Sequence, residues 1–391
     1  MTSTRIPALL DDFAIPPGET LREILEQIDM SQADLARRTG LTPKHVNQVV
    51  QGLAAISADV ALRLERVTGV SARTWLRLEA DYRGTLTRNQ QRQALAPEIV
   101  WAKSMPVAAL VKLGRIADMP SDWISRVEQL LGFFGVATVD AYQSLLAQQR
   151  VSFKQSIAHQ VDESAVAAWL RIGELEAQKI HHKPFSGKRF EQVISSARVL
   201  STQSPRDALP QLVSLCASAG VALVFVPEIA GARAYGATRW LANRRPLIQL
   251  STRGKTIDAL WLSFAHEAAH VLMHEKRTTF VDSRLDEEQG ELAPEEVQAD
   301  DFAFRIFIPA DEFERAANLT DTAAVVSMAD ELGIDPGILV ARLHRTGAWR
   351  RQEGVSLRRK LRDSDIPGQD SHVLPPVNPD RLTWSLPGID R

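Results

Sequence analysis

The sequence predicts a mainly α, α+β protein in which an N-terminal domain of five helices precedes a helical region and a domain with a small β-sheet. Three observations support this fold class. Capping residues and apolar stripes mark short helices within residues 16–82, and helical periodicity continues from 97 to about 219. The first strand-like run comes only at 221–226, and two more follow at about 235–241 and 247–250.

The composition is typical of a soluble globular protein. Hydrophobic residues make up 45% and charged residues 24% of 391 positions, a length that favours two or three domains. No apolar run reaches the roughly 18 residues of a membrane helix, the N-terminus lacks the pattern of a signal peptide, and Cys216 is the only cysteine. We therefore expect a cytoplasmic protein with no internal disulfide and no membrane partner. The net charge of -2 means that any DNA binding is local.

The five N-terminal helices are predicted from their starting signals. Pro16-Pro17-Gly18 precedes an amphipathic helix from Glu19 to Ile28. A hydroxyl N-cap precedes each of the other four helices, at Ser31, Thr42, Ser57 and Ser71. The fifth helix is expected to end at about Leu78, so that the polar residues 82–96 form a linker or the tail of a helix.

The second and third helices have the spacing of a helix-turn-helix. Ala36 is small where two helices cross, Gly40 supplies a turn with positive φ, and Val46 packs the second helix on the first. Side chains on the exposed face can pair with base edges or phosphates of double-stranded operator DNA, bound by a homodimer. The candidates are Arg37, Arg38, Thr42, Lys44, His45, Asn47, Gln48 and Gln51. The alternative is a helical bundle that makes protein contacts.

A metal-site pattern lies on a helix expected from about Thr256 to His274. His266 and His270 are separated by four residues, so both imidazoles lie on one helix face and can share a zinc ion (Zn2+). Glu267 lies one residue further round, where its carboxylate can act as the catalytic base on a water that the metal activates. The alternative is a surface helix with two unrelated histidines. The apolar residues around the motif favour burial, and buried histidines need partners.

A downstream helix offers the remaining groups. Glu296 and Asp300 are also four residues apart, so that Glu296 can complete a His-His-Glu set while Asp300 accepts the other ring N–H of a ligand histidine. His274 is expected to contact backbone carbonyls or Asp282, or else to be a fourth ligand. Glu295 and Asp301 are reserve ligands, and the acidic stretch 281–295 is expected to form a loop at the rim of the site.

A second helix-turn-helix spacing occurs near the C-terminus. Ala329, Gly333 and Leu339 repeat the intervals of the first motif, and several basic residues follow. These helices form either a second nucleic-acid surface or a helical pair that covers the metal helix.

Residues 16–82 resemble the HigA-type antitoxin branch of the Cro/C1 helix-turn-helix family. The resemblance is carried by Pro17-Gly18-Glu19, Ser31-Gln32-Ala33-Asp34-Leu35-Ala36, Ile56–Leu64 and Trp75–Leu78 with Tyr82. Residues from about 97 to 362 resemble the ImmA/IrrE family of zinc metallopeptidases. This resemblance is carried by the His266–His270 motif, Glu296-x-x-Ala299-Asp300-x-Phe302-Ala303, Pro309 and Gly333–Leu343. The second resemblance implies proteolysis of transcriptional repressors, with His266, His270 and Glu296 as ligands and Glu267 as base. Many relatives have Asn in place of Asp300 and an acidic residue in place of Gln298, and neither departure removes a ligand.

Together these observations divide the chain into an N-terminal arm (1–15), a Cro/C1-type DNA-binding domain (16–82), a linker (83–96), a helical region (97–219), a zincin-like core (220–310), a C-terminal helical segment (311–363) and a proline-rich tail (364–391). The leading hypothesis is an antitoxin-like transcriptional regulator with an attached zinc endopeptidase that cleaves a repressor or other regulatory protein. The alternative is a non-enzymatic regulator whose metal domain senses a ligand or binds a toxin. Tyr235, Arg239, Arg342 and His344 are the candidates for stabilising an oxyanion.

Overall fold

The computed structural model describes residues 13–152, 161–181, 183–241, 244–274, 279–282 and 293–367. The chain divides into two compact units, with the boundary between Ile99 and Val100. Helices predominate, and a mixed sheet of four strands lies in the second unit. The tail from 368 onward, the arm before residue 13 and most of the acidic stretch 281–295 lie outside the described residues.

The first unit consists of five helices around one apolar core. They are α1 (Pro17–Gln27), α2 (Gln32–Thr39), α3 (Pro43–Val50), α4 (Ala58–Thr68) and α5 (Ala72–Ala94). The predicted hydroxyl caps are made: Ser31 Oγ accepts from the Asp34 amide at 3.1 Å, and Thr42 Oγ1 accepts from the His45 amide at 3.1 Å. Leu35 and Trp75 are fully buried between the helices, so the stripes that predicted the helices also form their shared core.

Helix α5 is much longer than the sequence predicted. It runs through Ala94 instead of ending near Leu78, so residues 83–94 are the end of a helix and not an open linker. The extension has little apolar periodicity, which is why it resembled a linker. Pairs one helical turn apart lie along it, such as Arg83 Nε to Glu79 Oε1 at 2.8 Å, and such pairs stabilise a solvated helix.

The second unit begins with a helical region. Its helices are α6 (Ile99–Ser104), α7 (Val107–Lys112), α8 (Trp123–Phe134), α9 (Val139–Ser152), α10 (Glu163–Gln178), α11 (Gly187–Thr202) and α12 (Pro205–Ala219). The stretch Trp123–Gln148 is long and apolar enough for a membrane span by length and composition. It is interrupted at Gly135, whose φ of 70° ends α8, and such a span is also met in the core helices of soluble proteins.

The four strands are β1 (Ala222–Phe225), β2 (Gly236–Leu241), β3 (Arg245–Leu250) and β4 (Phe280–Asp282), in the order β1-β3-β2-β4. β1 pairs with β3 in parallel, and the other two pairs are antiparallel. The first three strands lie where the sequence predicts them. β4 was not predicted: its three residues carry no strand pattern of their own and become a strand only by pairing with Gly236, Ala237 and Thr238 of β2.

Helix α13 (Ile257–Met273) lies in the centre of the second unit. Every residue from Ile257 to Val271 is buried, because the sheet, α11, α14 (Pro294–Phe307) and α17 (Pro336–Arg345) pack around it. Between α14 and α17 lie α15 (Ala310–Ala316) and α16 (Thr322–Leu332). A helix buried on all sides can keep polar residues only where they are paired with one another or with neighbouring elements.

A short C-terminal segment, which we call the clamp (Arg358–Leu361), holds the beginning of α13. The Ile257 amide donates to the Arg359 carbonyl at 2.9 Å, and the Leu361 amide donates to the Lys255 carbonyl at 2.9 Å. Arg358 donates from Nε and Nη2 to Oδ2 of the fully buried Asp258, at 2.9 and 2.6 Å. The side chain of Arg359 makes the corresponding pair with buried Asp335 through Nε at 2.7 Å.

Candidate metal centre and nucleic-acid interface

Three side-chain atoms converge between α13 and α14. His266 Nε2 lies 3.1 Å from His270 Nε2 and 3.1 Å from Glu296 Oε2, and the distance from His270 Nε2 to Glu296 Oε2 is 3.6 Å. Zinc bound tetrahedrally at about 2.0–2.1 Å requires neighbouring ligand atoms to be about 3.3 Å apart. The triangle therefore has the size and the nitrogen and oxygen donors that suit Zn2+.

The other ring nitrogens of the two histidines are also engaged. His266 Nδ1 lies 2.8 Å from Asp300 Oδ1, as the sequence predicts, and Asp300 Oδ2 accepts from Arg345 of α17. His270 Nδ1 lies 2.8 Å from His274 Nδ1, and the His270 ring stacks on Phe280 of β4 with centroids 3.9 Å apart. Such contacts hold each imidazole with Nε2 toward the shared point.

The charges at this point favour a cation. Burial lowers the pKa of His270 to about 4, so its imidazole is neutral and has a lone pair available. Burial also acts on His266, but its hydrogen bonds to Asp300 and Glu296 outweigh burial and raise its pKa well above the usual value. Although burial opposes ionisation, hydrogen bonds from the two histidines lower the pKa of Glu296. The carboxylates of Glu296, at Nε2 of His266, and of Asp300, at Nδ1, thus favour a positive charge here, which either a second ring proton or a metal ion at Nε2 supplies.

Glu267 lies beside this group and is fully buried. Its Oε2 accepts from Thr238 Oγ1 of β2 at 2.7 Å, whereas Oε1 has no hydrogen-bond partner among the described residues. Burial raises the pKa of Glu267 to about 8. The carboxylate lies against Gly236, where a Cβ atom would be 2.4 Å from Oε1. Neither Thr238 nor Gly236 was anticipated, because nothing in the strand pattern says which residue faces α13.

The remaining sequence candidates lie elsewhere. His274 does not join the triangle; its Nε2 is 3.4 Å from Gln298 Oε1. Asp301 pairs with Arg305 at 2.8 Å on the surface of α14. Arg239 donates to the Leu170 carbonyl of α10 at 2.6 Å, on the sheet face opposite to Thr238. His344 Nε2 lies 2.7 Å from the Glu353 carbonyl.

In the C-terminal helix pair, α17 packs against the metal helix α13 and α16 packs against α17. Gly333 has a φ of 62°, and Ala329 and Leu339 are fully buried, so α16 and α17 do form a helix-turn-helix. Two of its arginines contact other parts of the unit: Arg342 lies over Phe304 and Phe313 at 4.5 and 4.8 Å, and Arg345 contacts Asp300. These contacts favour the covering role over a second nucleic-acid surface.

The first unit contains the predicted helix-turn-helix. Gly40 has a φ of 69°, and Ala36 and Val46 are buried where α2 and α3 cross. The predicted contact residues lie mostly on the surface: Arg37, Arg38, Thr42, Lys44, Asn47 and Gln51 are exposed, and His45 and Gln48 are half-buried. Thr42 also caps α3, and Arg37 pairs with Asp34.

Two family models match the chain. Residues 21–75 match the model described as Helix-turn-helix, and residues 223–344 match the peptidase M78 model described as IrrE N-terminal-like domain. Virulence-associated protein I of Dichelobacter nodosus is 40% identical over 79 residues, which are 20% of this chain and 73% of that protein. The uncharacterized HTH-type transcriptional regulator YddM of Escherichia coli (strain K12) is 30% identical over 63 residues, 16% of this chain and 67% of that protein.

Solved structures of two antitoxin proteins are similar to about a fifth of the chain. The Pseudomonas aeruginosa antitoxin HigA with higBA promoter is 36% identical, with a TM-score of 0.21, and the match covers 22% of this chain and 95% of that chain. An addiction module antidote protein of the HigA family from Coxiella burnetii is 31% identical, with a TM-score of 0.21, and the match covers 22% and 94%.

The fold and the two family matches define the class of protein. A unit with a helix-turn-helix of the DNA-binding type precedes a unit that contains a peptidase-family domain. The chain belongs to the helix-turn-helix family through its first unit, and its second unit carries an IrrE N-terminal-like domain.

Proposed function

We propose that the protein is an antitoxin-like transcriptional regulator whose second unit is a zinc-dependent endopeptidase that cleaves a repressor or another regulatory protein. The observation that supports the enzymatic part is the triangle of His266 Nε2, His270 Nε2 and Glu296 Oε2, with separations of 3.1 to 3.6 Å. The proposal includes a cytoplasmic location, where operator DNA and a protein substrate are both within reach.

Each residue of the site has a separate chemical role. The triangle atoms would hold zinc, which when bound polarises the scissile carbonyl and lowers the pKa of water to about 7. In its ionised form, Glu267 accepts the proton of the attacking water and returns it to the leaving amine. Thr238 donates to Oε2 at 2.7 Å and so orients the carboxylate, which leaves Oε1 as the atom that takes the proton.

A test of the enzymatic part replaces the proposed base. Glu267→Gln should retain zinc, because Glu267 is not one of the three triangle atoms, and should lose cleavage of candidate repressors by about 10²- to 10⁴-fold, the usual contribution of a general base. The control is Glu314→Gln, the same chemical change at an exposed position of α15. Cleavage is followed on gels with zinc-loaded protein. Equal cleavage by Glu267→Gln and wild type would refute the assigned role.

One observation favours the second candidate, a non-enzymatic regulator whose metal domain senses a ligand or binds a toxin. His266, Glu267 and His270 are 5%, 0% and 1% exposed, and that much burial suits a small ligand better than a peptide chain. Stoichiometric zinc without cleavage of any repressor or toxin, together with unchanged promoter control in Glu267→Gln, would support this candidate over the peptidase.

The regulatory part rests on the exposed face of α3. Lys44 and Asn47 are exposed there, and a domain with few cations binds operator DNA tightly only as a homodimer on paired half-sites. Lys44→Ala should reduce the slope of log affinity against log salt by about 1, and Asn47→Ala should weaken specific binding by about 1–3 kcal/mol. The control is Arg77→Ala on α5. Fluorescence anisotropy with fragments of the protein's own promoter measures both effects, and loss of binding by the control alone would exclude this face.

A further inference from the structure

Arg345 lies at the end of a chain of contacts that leads to the proposed metal site. Its guanidinium donates to Asp300 Oδ2, and Asp300 Oδ1 lies 2.8 Å from His266 Nδ1. The opposite ring nitrogen, His266 Nε2, is a corner of the triangle. Arg345 belongs to α17, whereas Asp300 lies 45 residues earlier on α14, so this contact joins two separate helices to α13.

The position of Arg345 is determined by the packing of its helix. Leu339 and Leu343 are fully buried, and Asp335 caps α17 by accepting from the Gly337 amide at 2.8 Å. The Arg345 guanidinium also lies over the Phe304 ring, 5.7 Å from its centroid. A carboxylate at one edge and an aromatic ring under one face restrict the guanidinium to one orientation.

The orientation of Asp300 matters because an aspartate carboxylate can rotate. When Oδ2 is held by Arg345, Oδ1 remains directed at His266 Nδ1. A carboxylate at Nδ1 keeps a proton on that nitrogen, so that Nε2 is the ring nitrogen that can give its lone pair to a metal. Without Arg345 the carboxylate can turn to water, and the imidazole loses the partner that orients it.

We propose that Arg345 is a positioning residue of the zinc site, which acts on His266 through Asp300 and makes metal affinity depend on the C-terminal helix. This inference rests on the proposed function, because it requires that the triangle binds zinc. No direct contact between Arg345 and the metal is involved.

The test is a competition titration of the full chain against a chromophoric zinc chelator. Arg345→Met keeps an unbranched stem beside Phe304 but removes every donor, and we expect zinc affinity to fall by about 10- to 100-fold. Arg345→Lys, which retains one charged donor, should be intermediate. The matched control is Arg305→Ala, which removes a cation paired at 2.8 Å with Asp301, the neighbour of Asp300, and should retain full affinity. With cobalt in place of zinc, the visible spectrum of Arg345→Met should change and that of the control should not.

A double substitution separates positioning from general packing. On a background of Asp300→Ala, Arg345→Met should cause no further loss, because its effect passes through that carboxylate. An undiminished loss on this background would overturn the inference, and so would wild-type affinity of Arg345→Met. If Arg345→Met makes the buried Cys216 reactive toward thiol reagents, the variant has perturbed the second unit. The zinc affinity of Arg345→Lys is then compared with that of the wild type instead. A wild-type chain that binds no zinc refutes the proposed function and this inference with it, whereas tight wild-type binding with an unaffected variant refutes the inference alone.

Discussion

Removing Arg358 from the clamp should destabilise the second unit strongly. Asp258 lies in the first turn of α13 and is fully buried, and the two bonds from Arg358 to its Oδ2 are 2.9 and 2.6 Å long. Arg358→Ala leaves this carboxylate without its counter-charge, and breaking a buried pair from one side costs about 3–5 kcal/mol. Adding Asp258→Asn to Arg358→Ala removes the buried charge and should recover roughly half of the loss, since an unpaired amide costs about 1–3 kcal/mol.

The only cysteine gives an assay specific for this unit. Cys216 is fully buried in α12, and burial raises the pKa of its thiol, so it reacts only when the unit unfolds. Pulse labelling across a urea series therefore yields the free energy of unfolding of the second unit. Arg351→Ala, which removes an exposed cation shortly before the clamp, is the control. A loss below about 1 kcal/mol for Arg358→Ala would refute the reasoning, because a loss of that size is typical of an exposed ion pair. Equal stability of the double variant and Arg358→Ala would also refute it.

Three further predictions use the same assay. Zinc at about 100 times its dissociation constant should stabilise the second unit by about 2.7 kcal/mol, and His266→Ala should abolish that gain; an equal gain in His266→Ala would place the ion elsewhere. Gly236→Ala should destabilise the unit by about 1–3 kcal/mol, because the new Cβ lies 2.4 Å from Glu267 Oε1. Gly132→Ala should instead stabilise it by about 0.5–1 kcal/mol, since Gly132 lies on an exposed helix face with no heavy atom within 4 Å of the new Cβ. The same sign for both substitutions would contradict the argument from space.

The sequence predicts the helices that carry the candidate metal ligands, because the signals for these helices are local. His266 and His270 share a helix face at four-residue spacing, and the same spacing identifies Glu296 and Asp300, which the structure brings to the two ring nitrogens of His266. Local signals do not predict elements that lack a sequence pattern of their own or that form only through contacts with neighbouring elements. Helix α5 continues to Ala94 without an apolar stripe, and β4 exists only because β2 lies beside it.

The sequence alone determined that one chain combines a helix-turn-helix with a His-Glu-x-x-His helix, because both motifs depend on intervals of a few residues along a helix. Only the tertiary structure decided which distant groups meet them. Thr238 and Gly236 reach Glu267 from a strand, and Arg345 reaches Asp300 from the last helix, since the packing of the sheet, α14 and α17 on α13 sets these contacts. Tertiary packing also places α17 against α13 and directs its arginines to Phe304 and Asp300 of α14, which favours a covering role over a second nucleic-acid surface.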